Sequence, residues 1–426
     1  MMLELLYPLF FFLLFFIAIK SKYFFNSPTI SKKLLLIGFI LKAASSILFG
    51  YLFSMKILTG KDTFMYMDDA NIVYSALKTN PYIYLKLLFG YNDFKPVPSL
   101  LLPYTDAMGF WFDSSNYFLV RVNAFIRLFS FGIYNVHAII FAFLSFIGPY
   151  NIYLFFEKKV RNVNLLQFIL FGLPSIVFWT SGVHKEALVI FALGMILYNV
   201  NFVLKNEHTK RHLFFTFIGL FILGYIRIYL LAFLFPLIAA IFLYTKFDRK
   251  QSTISVFFAT AIISVLVLGL IIFLFPNISF VQEFFVRRTY FLNSPGNYTF
   301  NVASIPHNFG TLFILLWEAI SNPFIRPLPA ECNSVLPFLA SFETIIIFAL
   351  ILILLFSVKI KSLLTNPYSL FCILYSLSTL FLIGLIVNNS GAIVRYRSIA
   401  IPFLLIAFIL KNKEENSLSH QSVKYA

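Results

Sequence analysis

Apolar runs of about 20 residues recur along this chain, and that feature leaves few folds open to it. A helix of that length covers about 30 Å, the thickness of the hydrocarbon layer of a bilayer. The runs are continuous rather than alternating, which argues against an outer-membrane barrel. Of 426 residues, 60% are hydrophobic and only 12% are charged, with a mean hydropathy of +0.87. Soluble domains carry about 25% charged residues, so this chain lacks the charge to coat a water-facing surface. A soluble enzyme, a disordered protein and a nucleic-acid binder are thereby excluded. Two cysteines, Cys332 and Cys372, supply neither a disulfide framework nor a metal set. The sequence predicts an all-α polytopic integral membrane protein.

Eleven spans are expected, in a range of 9 to 13, at roughly 5–19, 34–54, 134–156, 163–180, 186–204, 212–226, 229–244, 253–275, 335–358, 367–387 and 398–411. The first has no basic residue before it and no small-residue cleavage site, so it reads as a retained helix. Several are short for a bilayer core, which points to broken or re-entrant helices among them. The formal net charge is +16. Eighteen of the 33 basic residues fall in one set of short connections, beginning with Lys20, Lys22, Lys32 and Lys33 and ending with Lys411, Lys413 and Lys424. Basic residues concentrate on the cytoplasmic side. The N-terminus is therefore expected outside and the C-terminus inside. Residues 1–411 read as one multi-pass domain and 412–426 as a disordered cytoplasmic tail.

The other face carries two long connections, 55–133 and 276–334, rich in aromatic residues and proline. Short helices in the headgroup region fit them. From Ser114 to Gly132 the residues Phe118, Leu119, Val122, Phe125, Ile126 and Phe129 recur at helical spacing, with Arg121 and Arg127 off that stripe. This predicts an interfacial amphipathic helix.

Charged groups recur at every outward connection, although each costs a few kcal/mol at membrane depth. Asp62, Asp68 and Asp69 lie within eight residues. They would serve a cation, a general base or sugar hydroxyls, or else form a solvated loop in which Asp62 or Asp68 starts an interfacial helix around Ala70–Leu77. Between two apolar runs stands Trp179-Thr180-Ser181-Gly182-Val183-His184-Lys185-Glu186. Histidine suits proton transfer and lysine suits phosphate; alternatively Lys185 and Glu186 pair at the interface. Arg227 sits between tyrosines at the next outward turn, as an anchor or a phosphate clamp. The second long connection adds Glu283, Arg287, Arg288, His307, Glu318, Arg326 and Glu331, with prolines fixing an irregular backbone around Arg326. Glu343 falls inside a span, where an arginine is its natural partner. Arg395-Tyr396-Arg397 at the last outward turn forms an anion site if the two guanidiniums converge. Lys61 belongs to the same outward set. Several arginines, a histidine and aromatic walls on one face suit a lipid-linked sugar.

Three stretches carry a resemblance to proteins of bacterial surface-polysaccharide assembly, especially the O-antigen and exopolysaccharide polymerase-like families. Gly60-x-Asp62-x-x-x-Tyr66 resembles an element of exopolysaccharide polymerases. The stretch from Pro174 through Trp179, Ser181 and Gly182 to Lys185-Glu186 resembles a motif of membrane proteins in polysaccharide gene clusters. Arg395-Tyr396-Arg397 followed by Pro402 resembles the arginine-proline turn before a last span in polymerases and, more distantly, GT-C glycosyltransferases. The resemblance implies contacts from Arg395, Arg397 and Arg326 to a polyprenyl diphosphate. Asp68-Asp69 imitates the acidic pair of GT-C enzymes, but the loop follows the second span rather than the first, which favours the polymerase-like reading.

The leading expectation is an enzyme joining polyprenyl-diphosphate-linked oligosaccharides at the outer face of the plasma membrane. Its candidate catalytic residues are Asp62, Asp68, Asp69, His184 and Glu186. Lys185, Arg227, Arg287, Arg288, Arg326, Glu331, Arg395, Tyr396 and Arg397 are the candidates for binding diphosphate or sugar. No cofactor is expected. A divalent cation at Asp68 and Asp69 enters only under the alternative of a GT-C-type transferase using a polyprenyl-phosphate sugar. A lipid-linked sugar flippase or a non-enzymatic membrane subunit is the further alternative. Partners would be the lipid-linked oligosaccharide, membrane lipid and other polysaccharide-assembly proteins, and no nucleic acid.

Overall fold

The computed structural model of the protein describes residues 2–21, 23–58, 62–90, 92, 96–246, 252–274, 280–293, 299–300 and 309–411, the side chains of 280–285 and 309 aside. Among these residues helix is the only extended regular structure, with two isolated β-bridges, Val160 to Leu410 and Thr299 to Asn389. A helix pairs its own backbone groups, the requirement set by a bilayer. Among the described residues eight helices are long and apolar enough to cross a membrane: Met2–Lys20, Lys32–Ser54, Tyr134–Phe156, Lys185–Leu204, Thr209–Lys246, Thr253–Leu274, Val335–Phe356 and Pro367–Ile386. The helices Ser390–Arg397 and Ile401–Ile409, bent by 45°, form a ninth candidate as a broken span. The protein is an all-α multi-pass membrane protein.

Three regions bear on the sequence expectation. The apolar run 163–180 is two short helices, Val163–Phe171 and Pro174–Trp179. Gly172 closes the first, and Pro174, which disfavours helix in the residue before it, opens the second. The expected spans 212–226 and 229–244 are the two helices of Thr209–Lys246, which meet at a kink where Arg227 leaves helical backbone (φ −147°, ψ 70°). The third is 388–397, expected as a turn, where the helix Ser390–Arg397 lies instead and carries the last span back to Asn389.

Side-chain oxygens start many of the helices. Asn80, Asp113, Asn162, Asn366 and Asn389 accept backbone N–H groups at Tyr82, Asn116, Leu165, Tyr368 and Ala392 respectively. Pro81 and Pro367 follow two of them at the first helical position, where no N–H is missed. Lys32 gives its ammonium to the carbonyls of Ile19, Ser21 and Phe25, closing the end of the first helix.

The connection 55–133 folds into Asp62–Thr79, Pro81–Phe89, Leu102–Thr105 and Ser114–Ser130, with Asp62–Thr79 packed on Ser114–Ser130. The amphipathic stripe expected on the latter divides. Leu119 and Ile126 are buried, whereas Phe125 and Phe129 are exposed. The second connection contributes Phe280–Asn293, Phe309–Ile325 and a single 3-10 turn, Pro329–Glu331. The expected tail 412–426, together with Gly60, Lys61, His307 and the side chain of Glu283, lies outside the described residues.

The chain divides into two compact units. One comprises Met1–Leu154 with Ile176–Ile228, the other Phe155–Ser175 with Tyr229–Ala426. In the first, an aromatic cluster of Phe15, Phe25, Phe39, Phe143 and Phe146 packs three helices together, with Phe15 and Phe143 stacked 4.1 Å apart. Gly148 and Gly194 bring two spans to backbone contact, and a Cβ on Gly194 would strike the Gly148 backbone. In the second, every residue of Ile401–Ile409 is buried, packed by Pro367–Ile386, Val163–Phe171 and Val335–Phe356.

Candidate functional site

The first unit gathers several charged groups where three helices begin or break. Asp62 opens Asp62–Thr79, His184 precedes Lys185–Leu204 in extended backbone, and Arg227 stands at the break in Thr209–Lys246. Thr63 Oγ1 donates to the Val183 carbonyl at 2.9 Å, which fixes the first turn of one helix against the residue before His184. Serine 115 does the same on the other side. Ser115 Oγ accepts from Lys185 Nζ at 2.6 Å and donates to the Ile226 carbonyl at 3.2 Å.

Glu186 is wholly buried, and a carboxylate there needs partners for both oxygens. Oε1 accepts from the Arg227 guanidinium at 2.6 Å, and Oε2 bonds His184 Nδ1. The bond at Nδ1 sets the ring orientation and leaves Nε2 as the other reactive nitrogen. Nε2 lies 3.8 Å from Asp62 Oδ2. The imidazole is 2% exposed and the Asp62 side chain 44% exposed, so Asp62 is the open side of the cluster. Phe49 and Tyr66 close the ring from two sides, with centroids 6.0 and 6.3 Å away. Tyr66 is itself anchored by its hydroxyl to Asn116 Oδ1 at 2.7 Å.

Four sequence candidates, Asp62, His184, Glu186 and Arg227, thus form one continuous polar chain, with Lys185 beside it. Asp68 and Asp69 do not join it. Asp69 is buried and accepts from the N–H groups of Gly109 and Phe110 at 3.1 and 2.9 Å. Burial holds its carboxyl above the usual range, against the pull of those two bonds. Asp68, the next residue on the helix, is exposed. Of the two carboxylates weighed as helix starters, Asp62 occupies the first turn and Asp68 lies mid-helix.

Sequence reasoning missed Thr63 and Ser115 as the residues that hold the cluster. Both are short hydroxyls near helix starts, where a capping role is the ordinary reading. Lys42, a charge within Lys32–Ser54, is 1% exposed and bonds Ser145 Oγ and Thr180 Oγ1 at 2.7 Å each.

In the second unit the arginines are differently engaged. Arg397 is 2% exposed and donates to the carbonyls of Pro323 and Arg326, at 3.1 and 2.8 Å, and to Thr344 Oγ1. Arg288 is buried and donates to the Leu385 carbonyl at the end of Pro367–Ile386. Arg326 pairs with Glu331, donates to Asn322 Oδ1 at 3.0 Å and lies 3.8 Å over the Phe300 ring. Arg395 is half-buried, bonds the Tyr396 hydroxyl at 2.8 Å and lies over that ring. Arg287 is exposed. Glu343 takes the Ser175 N–H at 2.8 Å, with Arg397 as its charged neighbour. The expected convergence of Arg395 and Arg397 on one anion is not what their partners describe, since Arg397 is committed to backbone. Alternate positions on a helix point about 200° apart.

Among the described residues no three His, Cys, Asp or Glu side chains are grouped to hold a metal ion. Compared with protein-family models, curated proteins and solved structures, the chain matches none.

Proposed function

We propose that this protein is a glycosyl-transfer enzyme of the polymerase type, acting on polyprenyl-diphosphate-linked oligosaccharides at the outer face of a bacterial plasma membrane during surface-polysaccharide synthesis. One observation carries the reading: a histidine oriented by a buried glutamate, with its other nitrogen turned to a half-exposed aspartate and two cations alongside. Such an array suits removal of a proton from a hydroxyl beside a departing anion. An acceptor hydroxyl reaching Asp62 gives its proton to that carboxylate or to His184 Nε2 as its oxygen bonds the anomeric carbon. The bond from that carbon to the diphosphate oxygen breaks, and its electron pair stays on the diphosphate. Lys185 and Arg227 supply positive charge near the reacting groups. Arg395 and Tyr396, half-buried in the second unit, and Arg326 remain the candidates for holding diphosphate or sugar on the strength of the family resemblance.

The polyprenyl-phosphate-sugar alternative gains nothing from Asp69, because both of its oxygens are occupied by backbone amides. The test is His184→Ala in the producing organism, with the surface polysaccharide sized by gel and the protein quantified by blot. Loss of a general base lowers the rate by about 10² to 10⁴, so long chains are expected to disappear at normal protein level. Unchanged chain length at normal protein level sinks the reading.

A further inference from the structure

The helix Ser114–Ser130 ends against the apolar helix Met2–Lys20. Tyr7 donates its hydroxyl to the Phe129 carbonyl at 2.6 Å, and its ring lies 5.1 Å from that of Phe131. Met2–Lys20 has 19 residues, about 28 Å of helix and just enough for one crossing. Tyr7 sits in its second turn, so residues 129–131 lie near one end of a span, at headgroup depth. Phe131 is 63% exposed there.

Phe131 and Gly132 both take left-handed backbone, at φ 53° and 75°. The turn brings the Gly132 backbone under the Arg127 guanidinium, and a Cβ on Gly132 would stand 2.9 Å from its Cζ. Arg127 donates from Nε to Asn71 Oδ1 at 2.8 Å and lies 4.6 Å over the Tyr74 ring. Lys78, one turn further along Asp62–Thr79, places Nζ 5.7 Å from the same ring centroid. Two cations thus share one tyrosine, within about a Debye length of each other. Among the described residues neither stands in an ion pair with a carboxylate. Like charges held together this way favour a bound anion.

We propose that Lys78, Arg127 and Tyr74 form a site for the phosphate of an anionic membrane phospholipid, with its acyl chain running past Phe131 along Met2–Lys20. The cations meet the phosphate, the tyrosine ring supports both through its face, and the exposed phenylalanine continues into lipid. The site does not depend on the glycosyl-transfer reading.

The full-length protein, purified in detergent, is offered phosphatidylglycerol or phosphatidylcholine, and retained lipid is counted by native mass spectrometry. Wild type is expected to retain phosphatidylglycerol in preference. Lys78→Gln and Arg127→Gln are each expected to lower that retention about fivefold, the effect of one lost charge at an anionic headgroup. Lys78 is exposed, so its variant leaves no buried group unpaired and folding does not confuse the result. Lys86, another exposed lysine over a tyrosine, serves as control, and Lys86→Gln is expected to change retention less than about twofold, far from the effect of a site charge. Equal retention by wild type and Lys78→Gln overturns the site. So does an equal loss in Lys86→Gln, which would mean general surface charge, or no preference between the two lipids.

Discussion

In the unit built from 1–154 and 176–228, Glu186 takes an arginine on one oxygen and an imidazole on the other, and the chain ends on a half-exposed aspartate. In the unit built from 155–175 and 229–426, Arg397 and Arg288 give their hydrogens mainly to backbone carbonyls. Both arrangements satisfy a charge that is costly at membrane depth, but they do different work. A side chain bound to side chains can change protonation and partner. A guanidinium spent on carbonyls ties segments together, here Ser390–Arg397 to the chain at Pro323 and Arg326. Unlike charges in low dielectric also polarise one another, which makes the first arrangement suited to chemistry and the second to architecture.

The largest expected effect is structural. Arg397→Ala leaves two carbonyls and a hydroxyl without their donor and should cost about 3 kcal/mol, read as a lower unfolding midpoint in detergent. Arg397→Lys should recover only part of this, because an ammonium cannot reproduce the fork. A stable Arg397→Ala protein that has lost the polysaccharide synthesis we propose would break the contrast, since Arg397 would then be a substrate ligand.

Next in size is the Glu186–Arg227 pair. Glu186→Gln and Arg227→Met should each destabilise by about 1–3 kcal/mol, because each strands a buried charge or its donor. The double variant should cost less than the two added together, as a double-mutant cycle will show. Additive losses would mean that the two groups act separately.

The smallest effect concerns Asp69. Its folded carboxyl is raised above the unfolded value of about 4, so the folded state holds its proton longer. Stability from this group is full below that value and declines as pH rises toward the folded pKa. Asp69→Asn should flatten that decline while losing about 1 kcal/mol, since its amide can accept from only one of the two N–H groups. An unaltered pH profile in Asp69→Asn would assign the slope to other groups.

Most of the fold was legible in the chain because hydropathy over 20 residues reports directly on bilayer crossing. The candidate site was legible in part. Asp62, His184, Lys185, Glu186 and Arg227 stood out as ionisable groups between apolar runs, and the structure brings them together. Asp69 stood out by the same signal and serves to hold the 109–110 backbone. Adjacent carboxylates on a helix point about 100° apart, so sequence proximity does not mean a shared site.

By itself the sequence determined that this chain crosses a membrane several times as helices, since its continuous apolar runs suit helices that pair their own polar backbone in lipid and not the alternating strands of a barrel. It did not decide which apolar helix is core and which is coat. Thr253–Leu274 and Ile401–Ile409 are both apolar all round, yet most of the first is exposed and the whole of the second is buried. Lipid and protein interior are equally apolar, so composition cannot tell them apart. Nor did it decide that Arg397 meets carbonyls while Arg227 meets a carboxylate. Those choices depend on which helix ends meet in space, and only the tertiary structure sets that.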